Sequence, residues 1–99
     1  MWRFLTGAVS RTNDTAEVAW QPGRPPATVV AKGGEPIRIV FRRLDATEAT
    51  ESVSFPDFGI LATLAPYTTT PVDLGRRDAG RYPFCSPDGQ IQGCLIVEA

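Results

Sequence analysis

The sequence predicts an all-β domain, a sandwich of seven to eight short strands, and three observations carry that prediction. Turn-forming residues recur every ten or so positions, at Gln21-Pro22-Gly23, Pro25-Pro26, Gly33-Gly34 and Pro87-Asp88-Gly89. Between them, apolar residues alternate with polar ones at the two-residue period of a half-buried strand, most clearly at Ile37, Ile39 and Phe41. No stretch of ordinary helix length carries an apolar stripe, which leaves two sheets to bury their inner faces against each other.

The elements follow in order. Residues 2–9 and 16–20 are apolar runs around the polar cluster Arg11-Thr12-Asn13-Asp14 and read as a hairpin, with a short amphipathic helix over 2–9 as the rival. Residues 27–31 form a β-branched strand, and Lys32-Gly33-Gly34 supplies the reversal before a strand from Pro36. Arg38 and Arg42 mark that strand's wet face. Residues 44–50 lack a stripe and read as a loop with helical character. Val53 and Phe55 alternate with Ser52 and Ser54 in a strand that Pro56 ends by removing a donor. Residues 58–64 cross over, residues 68–74 alternate again, and Asp78-Ala79-Gly80 turns the chain. Residues 81–85 and 94–98 are the last two strands, joined by Ser86 to Gly93.

At 99 residues the chain reads as a single domain over 1–99, with residues 1–15 an N-terminal extension or hairpin. It is 42% hydrophobic and 21% charged, the balance of a folded soluble protein. A net charge of −1 supplies no pull toward nucleic acid, and no run is long enough to insert into a membrane. A monomer is expected. The chain contains no histidine, which removes His-based triads and His-ligated zinc. General acid–base chemistry would fall on a carboxylate or thiol, so the expectation is that the chain is not an enzyme.

Four segments carry a family resemblance: Gly33-Gly34-Glu35-Pro36 before a strand, Val53-Ser54-Phe55-Pro56-Asp57-Phe58-Gly59-Ile60, Gly80-Arg81-Tyr82-Pro83-Phe84-Cys85, and Gly93-Cys94-Leu95-Ile96-Val97-Glu98. Together, over about residues 18–99, they resemble the cupredoxins, in particular the bacterial cupredoxin-like domains found alone or attached to metal-transport proteins. The resemblance implies a Greek-key β-sandwich with copper at one end, held by an upstream His and by Cys, His and Met on the loop between the last two strands. It also implies a periplasmic or extracytoplasmic setting where a signal has been removed.

Two alignments of that loop are open. Aligned through Cys85-Ser86-Pro87, the thiol keeps its place while Asp88 stands at the His position, Ile91 at the Met position and Glu51 near the upstream His. Counted back from Gly93, Ser86 takes the place of a loop Cys, Asp88 and Gln90 of two Met residues, and Ala49 of an upstream Cys. Either way the His and Met copper ligands are absent. The first alignment leaves a candidate metal site of Cys85, Asp88 and Glu51, a thiolate and two carboxylates unsuited to copper redox chemistry. Against it, Cys85 reads as apolar filler and Asp88-Gly89 as a turn. In the family pattern Cys94 points outward and Cys85 toward the site end of the core, which argues against a disulfide between them.

Two functions follow as expectations. One is a metal-handling module of copper homeostasis that binds copper or another ion at the loop end; because the usual copper ligand set is absent, no cofactor is assigned. The alternative is a metal-free module that docks a protein partner through its loop end, with the apolar surface of Phe58, Ile60 and Tyr67 as the contact.

Overall fold

The computed structural model describes residues 9–10 and 16–99. Within them the chain forms strands β1 (Val9–Ser10), β2 (Ala16–Trp20), β3 (Ala27–Lys32), β4 (Ile37–Arg43), β5 (Ser52–Phe55), β6 (Ile60–Thr63), β7 (Thr69–Gly75), β8 (Gly80–Cys85) and β9 (Gln92–Glu98). Two single-turn 3₁₀ segments, Glu48–Thr50 and Pro56–Phe58, are the only helical turns among the described residues. One sheet has the order β1-β3-β9-β8-β5-β6 and the other β2-β4-β7. The predicted all-β sandwich is therefore the fold.

Among the described residues only β5–β6 and β8–β9 are antiparallel neighbours in both sequence and sheet. Every other connection passes between the sheets, which generates the parallel pairs β1–β3, β2–β4 and β3–β9. Two expectations change as a result, and a third falls mostly outside the described residues. Of the hairpin expected between residues 2–9 and 16–20, Val9 lies opposite Thr28 in β3 and β2 runs parallel to β4 in the other sheet, while residues 2–8 and 11–15 lie outside the described residues. The glycine turn after β3 carries the chain to the opposite sheet rather than back along the same one. Residues 58–64 contribute β6, which folds back on β5 in the register Phe55↔Ile60 to Ser52↔Thr63, and the crossing comes after it.

The alternation read at β4 holds: Ile37, Ile39 and Phe41 are buried while Arg38 and Arg42 are exposed. The inner faces meet in a cluster of aromatic rings, with Trp20 and Phe84 at 5.9 Å, Phe41 and Phe84 at 5.6 Å, and Phe55 and Phe84 at 5.1 Å between centroids. Burying each Phe contributes about 1.5–3 kcal/mol. Ring contacts add about 0.5–1.5 kcal/mol each. The Trp20 indole N–H donates to the Ser52 carbonyl at 3.2 Å, which ties the two sheets together and satisfies the one polar atom of that side chain. Gly93, opposite Phe84, has no side chain because the Phe84 ring occupies the space: a Cβ there would lie 2.3 Å from two ring atoms.

Pro71 and Pro83 fall inside strands. Pro71 is accommodated because β7 has no second neighbour among the described residues, the edge position where a strand proline is tolerated.

Candidate functional site

The loop joining β8 to β9 lies at one end of the sandwich. Ser86 is buried, and its backbone N–H donates to the Ile91 carbonyl at 2.9 Å, closing the loop across its neck. Its hydroxyl works in both directions, donating to Asp88 Oδ1 at 2.8 Å and accepting the buried Ile91 N–H at 3.0 Å. Asp88 Oδ1 also accepts the Gln90 N–H at 3.0 Å, the side-chain-to-backbone turn that Asp forms two residues along. The Gly89 N–H reaches the Ser86 carbonyl at 3.0 Å, and Gly89 adopts φ +77°, a left-handed conformation that costs glycine least. The Gln90 amide, followed by the Ser86 hydroxyl, holds the Asp88 carboxyl below its ordinary range, because both donors favour the charged form.

The facing loop is built round Arg43. The alternation of β4 carries its last residue to the buried face, and there the Arg43 guanidinium is satisfied by Thr50 Oγ1 at 2.8 Å, the Leu64 carbonyl at 2.7 Å and the Thr47 carbonyl at 2.8 Å. Asp45 gathers the Thr50 hydroxyl, the Thr47 amide and the Thr47 hydroxyl. The Thr50 hydroxyl is the first cause that lowers the Asp45 carboxyl from its ordinary value. This cation and its acceptors fix the 3₁₀ turn that presents Glu48 and Glu51.

Between the two loops lies a cavity of about 210 Å³ lined by Glu48, Ala49, Glu51, Pro87 and Asp88. The structure thus brings two of the sequence-derived site residues, Glu51 and Asp88, to one place. Cys85 does not line it. Phe84 is buried inward, so the next residue on β8, Cys85, faces outward, level with Ser54 and Gln92 on the neighbouring strands. The expected orientation of Cys85 toward the core end is therefore corrected by one position: Ser86 is the residue that turns in. That agrees with the second alignment, whose Ala49 and Asp88 share the cavity and whose Ser86 anchors it. Both cysteines are free thiols.

The donors at this end do not fit a redox copper. Ser86, Asp88 and Gln90 offer oxygen or amide groups where soft sulfur and imidazole are needed, and the Asp88 oxygen is already hydrogen-bonded twice. Among the described residues no group of three His, Cys, Asp or Glu side chains is placed to hold an ion.

The expected apolar docking surface is mostly committed to the fold. Phe58 stacks on Phe55 at 6.1 Å, and the Arg77 guanidinium covers its ring at 3.9 Å. Ile60 packs on the core as well, whereas Tyr67 and Leu61 are exposed.

The chain belongs to the family described as the cupredoxin-like domain, whose model matches residues 1–97. Among solved structures it is similar to a copper-binding protein determined by solution NMR in the apo form, with 32% identity, a TM-score of 0.75, and coverage of 85% of this chain and 86% of that one. It also shares its fold with the metal-binding domain of the Cu(I)-exporting P-type ATPase CopA of Streptococcus pneumoniae D39, solved with Cu(I), at 18% identity, a TM-score of 0.82, and coverage of 96% and 99%. The comparison with curated proteins returns no match. No helix among the described residues is long and apolar enough to cross a membrane.

Proposed function

We propose that this domain is a cupredoxin-like module that acts by binding a protein partner and not by copper-based electron transfer or catalysis, its loop end being organised by hydrogen bonds instead of by a metal. The carrying observation is the Ser86–Asp88–Gln90–Ile91 network. The Ser86 and Asp88 side chains, at two ligand positions of the second alignment, make their hydrogen bonds within the loop itself. A loop whose shape needs no ion remains available as a recognition surface, and the Glu48, Glu51 and Asp88 carboxylates give that surface its chemistry. On this reading the domain is not an enzyme, and Asp88, whose carboxyl is lowered by its hydrogen-bond donors, is not placed as a general acid.

The metal-handling reading is supported by the likeness to a copper-binding protein at 32% identity. Titration with Cu(II), followed by visible absorption and electron paramagnetic resonance, separates the two at the loop end. The first reading predicts no intense thiolate-to-copper charge-transfer band. A stoichiometric band abolished by Asp88→Ala would overturn it.

A further inference from the structure

We infer that Cys85 and Cys94 form a two-thiolate binding site for Cu(I) on the outer face of the six-stranded sheet, apart from the loop end. This goes beyond the binding role proposed above and stands on separate residues.

The register places the pair. In the β8–β9 ladder Cys85 lies opposite Gln92, and Cys94 lies opposite Pro83. Residues directly opposite in an antiparallel pair share a face, and every second residue along a strand returns to it. Phe84, Gly93, Leu95 and Val97 are buried on the inner face, so Cys85, Gln92, Cys94 and Pro83 all belong to the outer one. The two thiols are diagonal neighbours there, each partly buried, on strands held in the interior of the sheet by β3 on one side and β5 on the other.

The diagonal spacing selects a bridge over a bond. Diagonal residues of an antiparallel pair are about 7–8 Å apart at Cα. Disulfides need roughly 4.4–6.8 Å. The sheet therefore holds the thiols too far apart for direct joining, consistent with both being free. A metal ion between two sulfurs at about 2.3 Å each spans up to about 4.6 Å instead of the roughly 2 Å of an S–S bond, which makes up the difference.

The donor set then selects the ion. The chain has no histidine and no cysteine beyond these two. The cross-strand neighbours of the pair are Ser54 and Gln92 beside Cys85, and Thr28 and Pro83 beside Cys94. None is a carboxylate or a thiolate, so a zinc ion would lack the remaining ligands of its tetrahedron. Among these described neighbours hard cations find no charged oxygen. A soft monovalent ion such as Cu(I), content with two thiolates, is matched. Binding releases one proton from each thiol, 2 R–SH + Cu⁺ giving [R–S–Cu–S–R]⁻ and two H⁺. Copper stays Cu(I) throughout, no electron moves, and uptake strengthens as pH rises.

The test is anaerobic titration of the reduced protein with Cu(I) against a chromophoric Cu(I) chelator, alongside Cys85→Ser, Cys94→Ser and the loop-end double variant Glu51→Gln/Asp88→Asn. Wild type is expected to retain one equivalent, each cysteine variant to lose it and the double variant to keep it. X-ray absorption at the copper edge of loaded wild type, which needs no variant to fold, is expected to show two sulfur scatterers and no oxygen or nitrogen. Absence of retained copper, dependence on Cys85 without Cys94, loss in the loop-end variant, or a nitrogen- or oxygen-rich shell would each overturn the assignment. So would a Cys85–Cys94 disulfide formed on mild oxidation, since it would refute the spacing.

Discussion

Replacing Ser86 by Ala removes a single oxygen atom at the point where the loop-end network converges. In the wild type that oxygen accepts the Ile91 N–H at 3.0 Å inside the fold and donates to Asp88. Alanine leaves the Ile91 amide buried without an acceptor, a desolvation cost of about 1–3 kcal/mol. No contribution from the exposed Asp88 carboxylate enters that figure. For a domain of this size each ~1 kcal/mol moves the melting temperature by about 4–8 °C, so the variant should melt roughly 5–20 °C lower. Urea unfolding should show a lower midpoint with an unchanged m-value, because the surface exposed on unfolding is the same. A change below about 0.5 kcal/mol, the size of an ordinary surface substitution, would show that the hydroxyl does not organise the loop and would refute the reasoning.

Three further outcomes follow from the same structure. Because the Asp88 pKa is lowered by the Gln90 amide and the Ser86 hydroxyl, its contribution is present in full above the unfolded value of about 3.9 and is lost as pH falls through the folded value below it. The stability gap between wild type and Asp88→Asn should accordingly stay flat above about pH 5 and close in more acid solution, read by denaturation at a series of pH values. Gly93→Ala, which drives a Cβ to 2.3 Å from the Phe84 ring, should cost about 1–3 kcal/mol, and less in a Phe84→Leu background, as a double-mutant cycle would measure. Arg43→Met strands the Leu64 and Thr47 carbonyls and the Thr50 hydroxyl and should destabilise by at least about 3 kcal/mol, with thermal unfolding as the check.

Where local pattern decides structure, the residues alone were enough. The Ile37-Ile39-Phe41 alternation, the stop at Pro56 and the turn at Asp88-Gly89 are each set by neighbours within a few positions, and each is observed. The pairing of β2 with β4 and of β1 with β3 is set by chain segments that cross between sheets, and no local pattern reports a parallel partner so far away in sequence. Residues 60–63 carry no polar alternation, so nothing marked them as the strand β6 that folds back on β5.

Of the candidate residues, the sequence showed which would lie near one another only in part. Counting from the resemblance named Glu51, Ala49 and Asp88, and the three line one cavity. The face of Cys85 was misjudged because strand parity near a loop is uncertain by one residue, and one residue reverses the face. Arg43 was missed for a different reason, since the parity of Ile37, Ile39 and Phe41 already places it on the inner face. A second arginine after Arg42 looks like a solvated pair, and only the carbonyls of Thr47 and Leu64, brought in from other segments, explain its burial.

The central claim, that the loop end keeps its shape without a metal, is tested most directly by amide hydrogen exchange of the chelator-treated protein. The account predicts that the Ile91, Gln90 and Gly89 amides, each donating to an acceptor in the loop, are protected and that added copper leaves their protection unchanged. Amides that exchange freely after chelation and become protected only when metal is restored would contradict it.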